Sequence, residues 1–421
     1  MEYLYRLQIH LLIELVILTR PKKFSARASL FILMISTSNI YLSLLATCIL
    51  LGSCVSYKPK YKGQWERSPS IDNPYFTVYL IGDGGNAPLG QSTAILDHLK
   101  SKLDKESPSS AIIWLGDNIY PVGLAPSSSQ YYPQGHHRLM AQLKTMSNYE
   151  GYKYVIPGNH DWYTYGRIGL RRQEMLVDSF LSLTPNPNDQ TNFFLPDKGC
   201  GDPQIHEVAQ DIGIVLMDTH WFLNEKVRGG DLSVCEVQSP GSFLDKLESL
   251  ISDNDDKSLI IAAHHPPYTY AHHGGRFPLN DDLFPFTQKI KWLYLPMPLT
   301  GYVFNRVRLR VSEQDVYHPL YQAYRNRLTS SLVGKGSHLI VSGHEHTLQH
   351  IENDDQYYIV SGAGSKSNKV AMGKGSKFAI GAQGYVKLTF ITPKEVIAQY
   401  IVPGQFPENN NIAYETKMDI Q

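Results

Sequence analysis

Thiol chemistry is nearly absent from this chain. Four cysteines in 421 residues are too few for a disulfide-built scaffold, and none lies in a CxxC pair of the kind that makes a zinc ribbon. Net charge is also missing: 39 basic side chains cancel 39 acidic ones, so no global field draws the protein toward nucleic acid or an acidic membrane surface, and no nucleic-acid partner is expected. Any affinity for phosphate must therefore be local. Low-complexity and collagen-like patterns are lacking too, and 42% apolar residues suffice for the core of one large or two ordinary domains. What the chain does have is 27 tyrosines and 16 histidines.

No charged side chain occurs from Ala28 to Tyr57, and Arg20, Lys22, Lys23 and Arg27 form a basic block just upstream. That order is the order of a secretory signal. The apolar run ends in Leu51-Gly52-Ser53-Cys54, which resembles the site at which bacterial lipoproteins are cleaved and their cysteine acylated. The expected result is an exported protein, periplasmic or on the cell surface, held to the membrane by a lipid anchor on Cys54. An uncleaved transmembrane anchor is the alternative, because the uncharged span is long enough to cross a bilayer. Beyond Cys54 only Cys200 and Cys235 remain, and in an oxidising compartment such a pair reads most simply as a disulfide.

Short β-branched and aromatic runs recur, each followed by turn residues: Phe76 to Ile81, Ala111 to Leu115, Tyr154 to Ile156, Ile212 to Met217, Leu259 to Ala262, Leu339 to Val341 and Tyr357 to Val360. Near-continuous apolar runs of this kind are strands buried on both faces. Helical patterns lie between several of them. The clearest places Phe243, Leu247, Leu250 and Ile251 on one face, opened by Ser239 as N-cap and Pro240 at the first position. Strands alternating with helices predict a layered α/β domain. The last runs, Tyr385 to Phe390 and Val396 to Val402, have no helix between them and are expected to pair antiparallel. The domain plan is a signal over 1–53, a linker over 54–74, a main folded domain over 75–403 with an insertion at about 276–330, and a frayed polar tail over 404–421.

Five of the strands run directly into polar clusters: Gly82-Asp83-Gly84-Gly85, Gly116-Asp117-Asn118-Ile119-Tyr120, Gly158-Asn159-His160-Asp161, His264-His265-Pro266-Pro267 and Gly343-His344-Glu345-His346. Loops beyond the carboxyl ends of strands are where open α/β sheets build their sites, so the five clusters are expected at one edge. Carboxylate, phenolate, amide oxygen and imidazole together form a hard-to-borderline ligand set suited to iron, manganese or zinc. The flanking glycines fit the same reading, because backbone must pass close to a buried ion pair without a Cβ in the way.

On these residues the chain resembles the calcineurin-like metallophosphoesterases, and within them the purple acid phosphatases of the tartrate-resistant type. Asp83 is followed by Gly84-Gly85 where most of the superfamily has Asp-x-His, and Tyr120 stands three residues after Asp117. The resemblance covers about residues 76 to 365 and implies a metallophosphoesterase-type β-sandwich flanked by helices. It implies an Fe(III) site of Asp83, Asp117, Tyr120 and His346. It implies a second divalent site for Fe, Zn or Mn that shares Asp117 and adds Asn159, His264 and His344. His160 matches a substrate-facing histidine of the family, and His273 matches a second, although His272 beside it could serve instead. The implied reaction is hydrolysis of phosphomonoesters by metal-activated hydroxide, with the histidines holding phosphate and protonating the leaving oxygen.

The remaining histidines have blander readings. His265 is expected to support His264, His136-His137 to lie in a solvated loop, and His220, after Asp218 and Thr219, to serve capping or packing. Ser361-Gly362-Ala363-Gly364 is expected to make a tight turn closing the site wall. The stretch between His264 and His344 is longer than a compact phosphatase needs, and includes the run Trp292 to Leu299 among Lys289, Lys291, Arg306, Arg308 and Arg310. Its preferred reading is an extra helix and loop packed on the body; the other is a lid or membrane-facing wedge. Two further functions compete with the monoesterase: a phosphodiesterase or nucleotide hydrolase on the same site, and a non-catalytic cell-surface binding lipoprotein. The intact ligand set argues against the last.

Overall fold

A computed structural model describes residues 55–69, 71–229, 232–288 and 290–420. The basic block, the apolar run and Cys54 lie outside these residues. In chain order the strands are β1 (Lys60–Tyr61), β2 (Phe76–Ile81), β3 (Ser110–Leu115), β4 (Tyr152–Ile156), β5 (Gln204–Ala209), β6 (Ile212–Leu216) and β7 (Ser258–Ala263). They continue with β8 (Leu339–Ser342), β9 (Leu348–Asn353), β10 (Gln356–Ser361), β11 (Ser376–Ile380), β12 (Tyr385–Thr392), β13 (Glu395–Ile401) and β14 (Ile412–Asp419). The α-helices are α1 (Ala94–Leu103), α2 (Tyr132–Leu143), α3 (Asn159–Trp162), α4 (Gly166–Leu181), α5 (Thr219–Leu223), α6 (Pro240–Ser252), α7 (Leu279–Leu283), α8 (Pro298–Val311) and α9 (Pro319–Ser331).

Strict alternation along the strands divides their side chains between two cores. Phe76, Val78 and Leu80 of β2 face Ile212, Ile214 and Leu216 of β6 and Ile260 and Ala262 of β7 in the core between two stacked sheets. Tyr79 and Ile81 point the other way, with Ile112, Trp114 and Val155, into the layer under the helices, where Phe243, Leu247 and Ile251 of α6 also lie. One sheet has eight strands in the order β1-β11-β9-β10-β8-β7-β6-β5, and the other six in the order β14-β13-β12-β2-β3-β4. The strands β2, β3 and β4 run parallel, as do β6, β7, β8 and β10. This is the expected sandwich of mixed sheets flanked by helices. Ser239 caps α6 by accepting from Ser242 N, with Pro240 at its first position, and β12 pairs antiparallel with β13. Cys200 and Cys235 form a disulfide with their Cα atoms 5.5 Å apart.

Three expectations fail here. The tail is not frayed: β14 pairs along β13 and buries Ala413, Met418 and Ile420. Its charges misled because an edge strand shows one face to water, and its Glu415 accepts from Gln399 Nε2 at 2.7 Å. Part of the 54–74 linker is docked, because Tyr61 and Trp65 stack against Phe378 and Tyr414 and bring β1 onto the edge of β11. His136 and His137 lie in α2, which Pro133 opens, rather than in a loop.

Candidate metal centre

The parallel strands of both sheets end at one seam. From one sheet, β2, β3 and β4 deliver Asp83, Asp117 and Asn159; from the other, β7 delivers His264, and the turn between β8 and β9 delivers His344 and His346. Three of these residues leave their strands in the left-handed region, at φ 58° for Asp83, 55° for Asp117 and 68° for His344, each just after a glycine. The turn is tight enough that a Cβ on Gly116 would stand 2.6 Å from Gly158 N.

Two clusters of donor atoms result. In the first, Tyr120 Oη donates to Asp83 Oδ1 at 2.7 Å and lies 3.0 Å from His346 Nε2, which is itself 3.4 Å from Asp83 Oδ1. In the second, Asn159 Oδ1 stands 3.0 Å from His264 Nε2 and 3.1 Å from His344 Nδ1. Asp117 connects them, with Oδ1 3.4 Å from His264 Nε2, and one ligand atom each of Asp83, Asp117 and His264 lies within 4.8 Å of the others. All seven residues expected as ligands are thus brought together.

The second cluster tests whether a cation fits. His264 Nδ1 faces Leu115 O at 2.7 Å and His344 Nε2 faces Gln314 O at 3.0 Å, which assigns the ring protons to those nitrogens. Burial, reinforced by the charges of His273, His265 and His264, holds His344 neutral. Asn159 in turn donates Nδ2–H to Tyr163 Oη at 2.9 Å, so its carbonyl oxygen faces the rings. Asn159 Oδ1 and His344 Nδ1 therefore turn lone pairs toward the same space, and His264 Nε2, 3.0 Å from the one and 3.3 Å from the other, is the group that can bring a proton to them. A metal ion satisfies all three at once.

Electrostatics agree. Burial, then the charges of Asp117 and Asp83, push the Tyr120 phenol well above its usual pKa, so it keeps its proton until a cation displaces it. Burial would lower His264, but Asp117 and Asp83 outweigh it and raise this ring. For Asp117 burial acts upward, and His264 and His160 prevail to hold its carboxyl low.

Both histidines matched to substrate contacts border the clusters. His160 points Nδ1 at Pro121 O (2.6 Å), leaving Nε2 4.0 Å from Asp117 Oδ2 with the side chain 28% exposed. His273 directs Nδ1 to Asp315 Oδ1 at 2.7 Å, and its ring centre is 4.1 Å from that of His344. Burial acts downward on His273, and the hydrogen bond and charge of Asp315 raise it. His272 turns instead to Arg308, whose Nη1 lies 2.7 Å from its Nε2, and burial with that guanidinium keeps it neutral. His265 is held at both ring nitrogens, by Thr219 Oγ1 and Gln314 Oε1, each 2.8 Å away, so it supports rather than ligates. Asp218 caps α5 through His220 N and Trp221 N, and His220 is buried behind it. Gly364 N donates to Gly82 O at 2.9 Å, tying the Ser361-to-Gly364 segment to the site wall. Cys200, Asp202 and Cys235 also cluster, but oxidation to the disulfide removes the thiolates a metal would need.

Several further residues support the site, two of them inside the polar clusters and the others without any motif. Asp161 accepts from Gly158 N, Asn118 N and Ile119 N and so clamps two of the loops together. Glu345 accepts from His273 N and Gly274 N. Gln314 and Asp315 belong to the insertion, which supplies part of the site's support as well as packing on the body. Lys366 places Nζ 3.0 Å from the Tyr120 ring centroid.

A model of the calcineurin-like phosphoesterase family matches residues 76–348. The chain belongs to the calcineurin-like phosphoesterases. It is 22% identical over 354 residues to purple acid phosphatase 17 of Arabidopsis thaliana, spanning 80% of this chain and 84% of that one. Among solved structures it is similar to GAP50, the anchor in the inner membrane complex of Plasmodium, at 15% identity and a TM-score of 0.47, over 83% of this chain and 90% of that one. It is also similar to the purple acid phosphatase PPD1 from seeds of yellow lupin (Lupinus luteus), at 14% identity and a TM-score of 0.41, over 82% of this chain and 53% of that one. The family fold together with the two donor clusters supports a metal-dependent hydrolase. No helix among the described residues is long and apolar enough to cross a membrane.

Proposed function

We propose that this calcineurin-like phosphoesterase is an exported phosphomonoesterase of the purple-acid-phosphatase type, held at the membrane by a lipid on Cys54. Fe(III) would be held by Asp83, Asp117, Tyr120 and His346, and divalent Fe, Zn or Mn by Asn159, His264 and His344 with Asp117 shared. The observation that carries the reading is the Tyr120 hydroxyl set between Asp83 Oδ1 and His346 Nε2, at 2.7 and 3.0 Å. A phenol in that position supplies a hard anionic donor that a trivalent ion favours.

Bound metals would supply Lewis acidity, clamping phosphoryl oxygens and making water nucleophilic at acidic pH. The chain's own residues do the rest. His160, anchored at Nδ1 by Pro121 O, presents Nε2 to the open side of Asp117, where it holds the phosphate and gives a proton to the leaving oxygen. Asp315 fixes the His273 ring and favours its charged form, so His273 faces the phosphate as a cation. Asn368 steadies His346, with Nδ2 3.2 Å from Nδ1 and its own N–H donating to the His346 carbonyl at 2.8 Å.

Metal analysis and the visible spectrum of the purified oxidised protein, with hydrolysis of aryl phosphate monoesters and diesters, test this reading. The expected result is two metals, one of them iron, a tyrosinate absorption band and preference for the monoester. Iron without the band removes the purple-acid-phosphatase assignment. Diester preference favours the phosphodiesterase, and loss of both activities with metal bound favours the binding protein.

A further inference from the structure

The insertion has two faces with opposite fates. On α8, Gly301, Asn305 and Leu309 turn inward: Asn305 Nδ2 donates to Asp282 Oδ1 of α7 at 2.8 Å, and Leu309 is 3% exposed. Arg308 of the same helix reaches His272 and Asp315, so α8 is fixed to the residues that hold His273. Half a turn away, Val303, Val307 and Val311 follow one another at four-residue spacing and are 50, 41 and 55% exposed. The loop before α8 adds Trp292 at 78%, Tyr294 at 61% and Leu295 at 42% exposure. A fixed helix with a valine stripe in water, next to an exposed indole and phenol, is an unfilled interface.

What covers it is indicated by where the residues that follow the proposed anchor, Cys54, join the body. Ser56 pairs with Val370, and Tyr57 lines a cavity of about 360 Å³ with Arg276, Pro278, Asn280 and Asp281 at the start of α7. The chain just after Cys54 therefore enters the folded domain beside the insertion, whose inner helices are joined through Asp282 and Asn305. Lys291 and Arg310 flank the apolar surface and are exposed, which suits anionic headgroups, and Trp and Tyr are the side chains that favour the bilayer interface. We infer that the outer face of the insertion, formed by Trp292, Tyr294, Leu295 and the Val303-Val307-Val311 stripe, rests in an anionic bilayer interface and gives the protein a second, orienting membrane contact. This goes beyond the proposed lipid on Cys54, since a single chain tethers without setting orientation.

Trp292 makes the test specific. Trp114, Trp162 and Trp221 are 2% exposed or less and Trp65 is partly buried, so in a Trp65→Phe background the indole fluorescence reachable from outside comes mainly from Trp292, and Trp292→Phe identifies its share. The full chain would be reconstituted into vesicles of phosphatidylethanolamine and phosphatidylglycerol, with brominated acyl chains or with aqueous iodide as quencher. Expected is quenching by brominated lipid that disappears in Trp292→Phe, and also in Val303→Asp/Val307→Asp while that variant still sediments with vesicles. Quenching by iodide alone would show an exposed surface and overturn the inference. Protection from both quenchers would overturn it too, assigning the stripe to the chain's own leader or a second copy. Each outcome is independent of whether the protein is coloured or active.

Discussion

The two halves of the candidate metal centre meet at Asp117 and differ in how they stand without a cation. Asp83, Tyr120 and His346 are joined by a proton, that of the phenol, which donates to the carboxylate beside the imidazole. Asn159 and His344 bring no proton of their own to the space between them, because Gln314 O and Tyr163 have taken theirs, and only a protonated His264 Nε2 reaches either. The first half can rest metal-free as a hydrogen-bonded group, and metal uptake there must expel a proton. The second half depends on a cation or, without one, on the single proton that His264 Nε2 can hold there. Affinity at the first half should accordingly rise with pH through neutrality, as the protonated Tyr120 gives up its proton to bind.

The largest effect that would break this comparison is Asp117→Ala. Removing the one carboxylate common to both halves should scramble both metals and lower turnover by roughly 10³-fold or more. The apolar strands should keep the chain folded by circular dichroism. A variant that retains two metals and normal turnover contradicts the shared assignment.

A smaller change, His160→Ala, should leave both metals in place and slow turnover by about 10²- to 10⁴-fold, the usual contribution of a positioned acid. Metal loss measured alongside the rate would make His160 structural instead. Tyr120→Phe sharpens the contrast between halves, since it removes only the proton-bearing oxygen. Visible absorbance should vanish, iron should fall below the second metal, and the metal-free protein should lose about 1–3 kcal/mol, because Asp83 then has lost its buried donor. Unchanged iron content would leave the phenol out of the first half.

The smallest effect concerns a histidine remote from either half. Burial lowers His338 from its ordinary 6.5 to about 4. Above pH 6.5 the ring is neutral folded or unfolded, and its contribution to stability is complete. Between 6.5 and 4 the unfolded chain binds the proton and the folded chain does not, so stability falls as pH falls. Denaturation midpoints followed from pH 7 to 4 should decline less steeply for His338→Gln, by an amount on the order of 1–3 kcal/mol at the acid end. An identical slope would place the sensitivity elsewhere.

Most of the candidate ligands were legible because they stand where an apolar strand stops, often next to a glycine, and that junction is a local pattern. Their supports were not. Gln314 and Asp315 follow a helix at positions that no spacing marks, and only the tertiary path of the insertion brings them under His344 and His273. Lys366 is likewise set over Tyr120 by a loop whose residues carry no spacing signal. In the fold, the near-continuous apolar runs of β2 and β6 were readable as burial on both faces, whereas β14 was hidden by its charges. Edge strands satisfy polar faces with water, so composition says little about them.

The left-handed conformation of Asp83, Asp117 and His344 sets the interests of durability and chemistry against each other at three codons. Each costs roughly 1–2 kcal/mol that a glycine would not incur. A laboratory lineage selected only for heat resistance, with metal withheld, would be drawn toward glycine by the backbone and held back at Asp83 and Asp117 by the buried hydrogen bonds those carboxylates accept from Tyr120, His344 N and His160 N. His344 accepts no such bond from the backbone, so it is the site at which selection for durability and selection for turnover would leave the most divergent signatures.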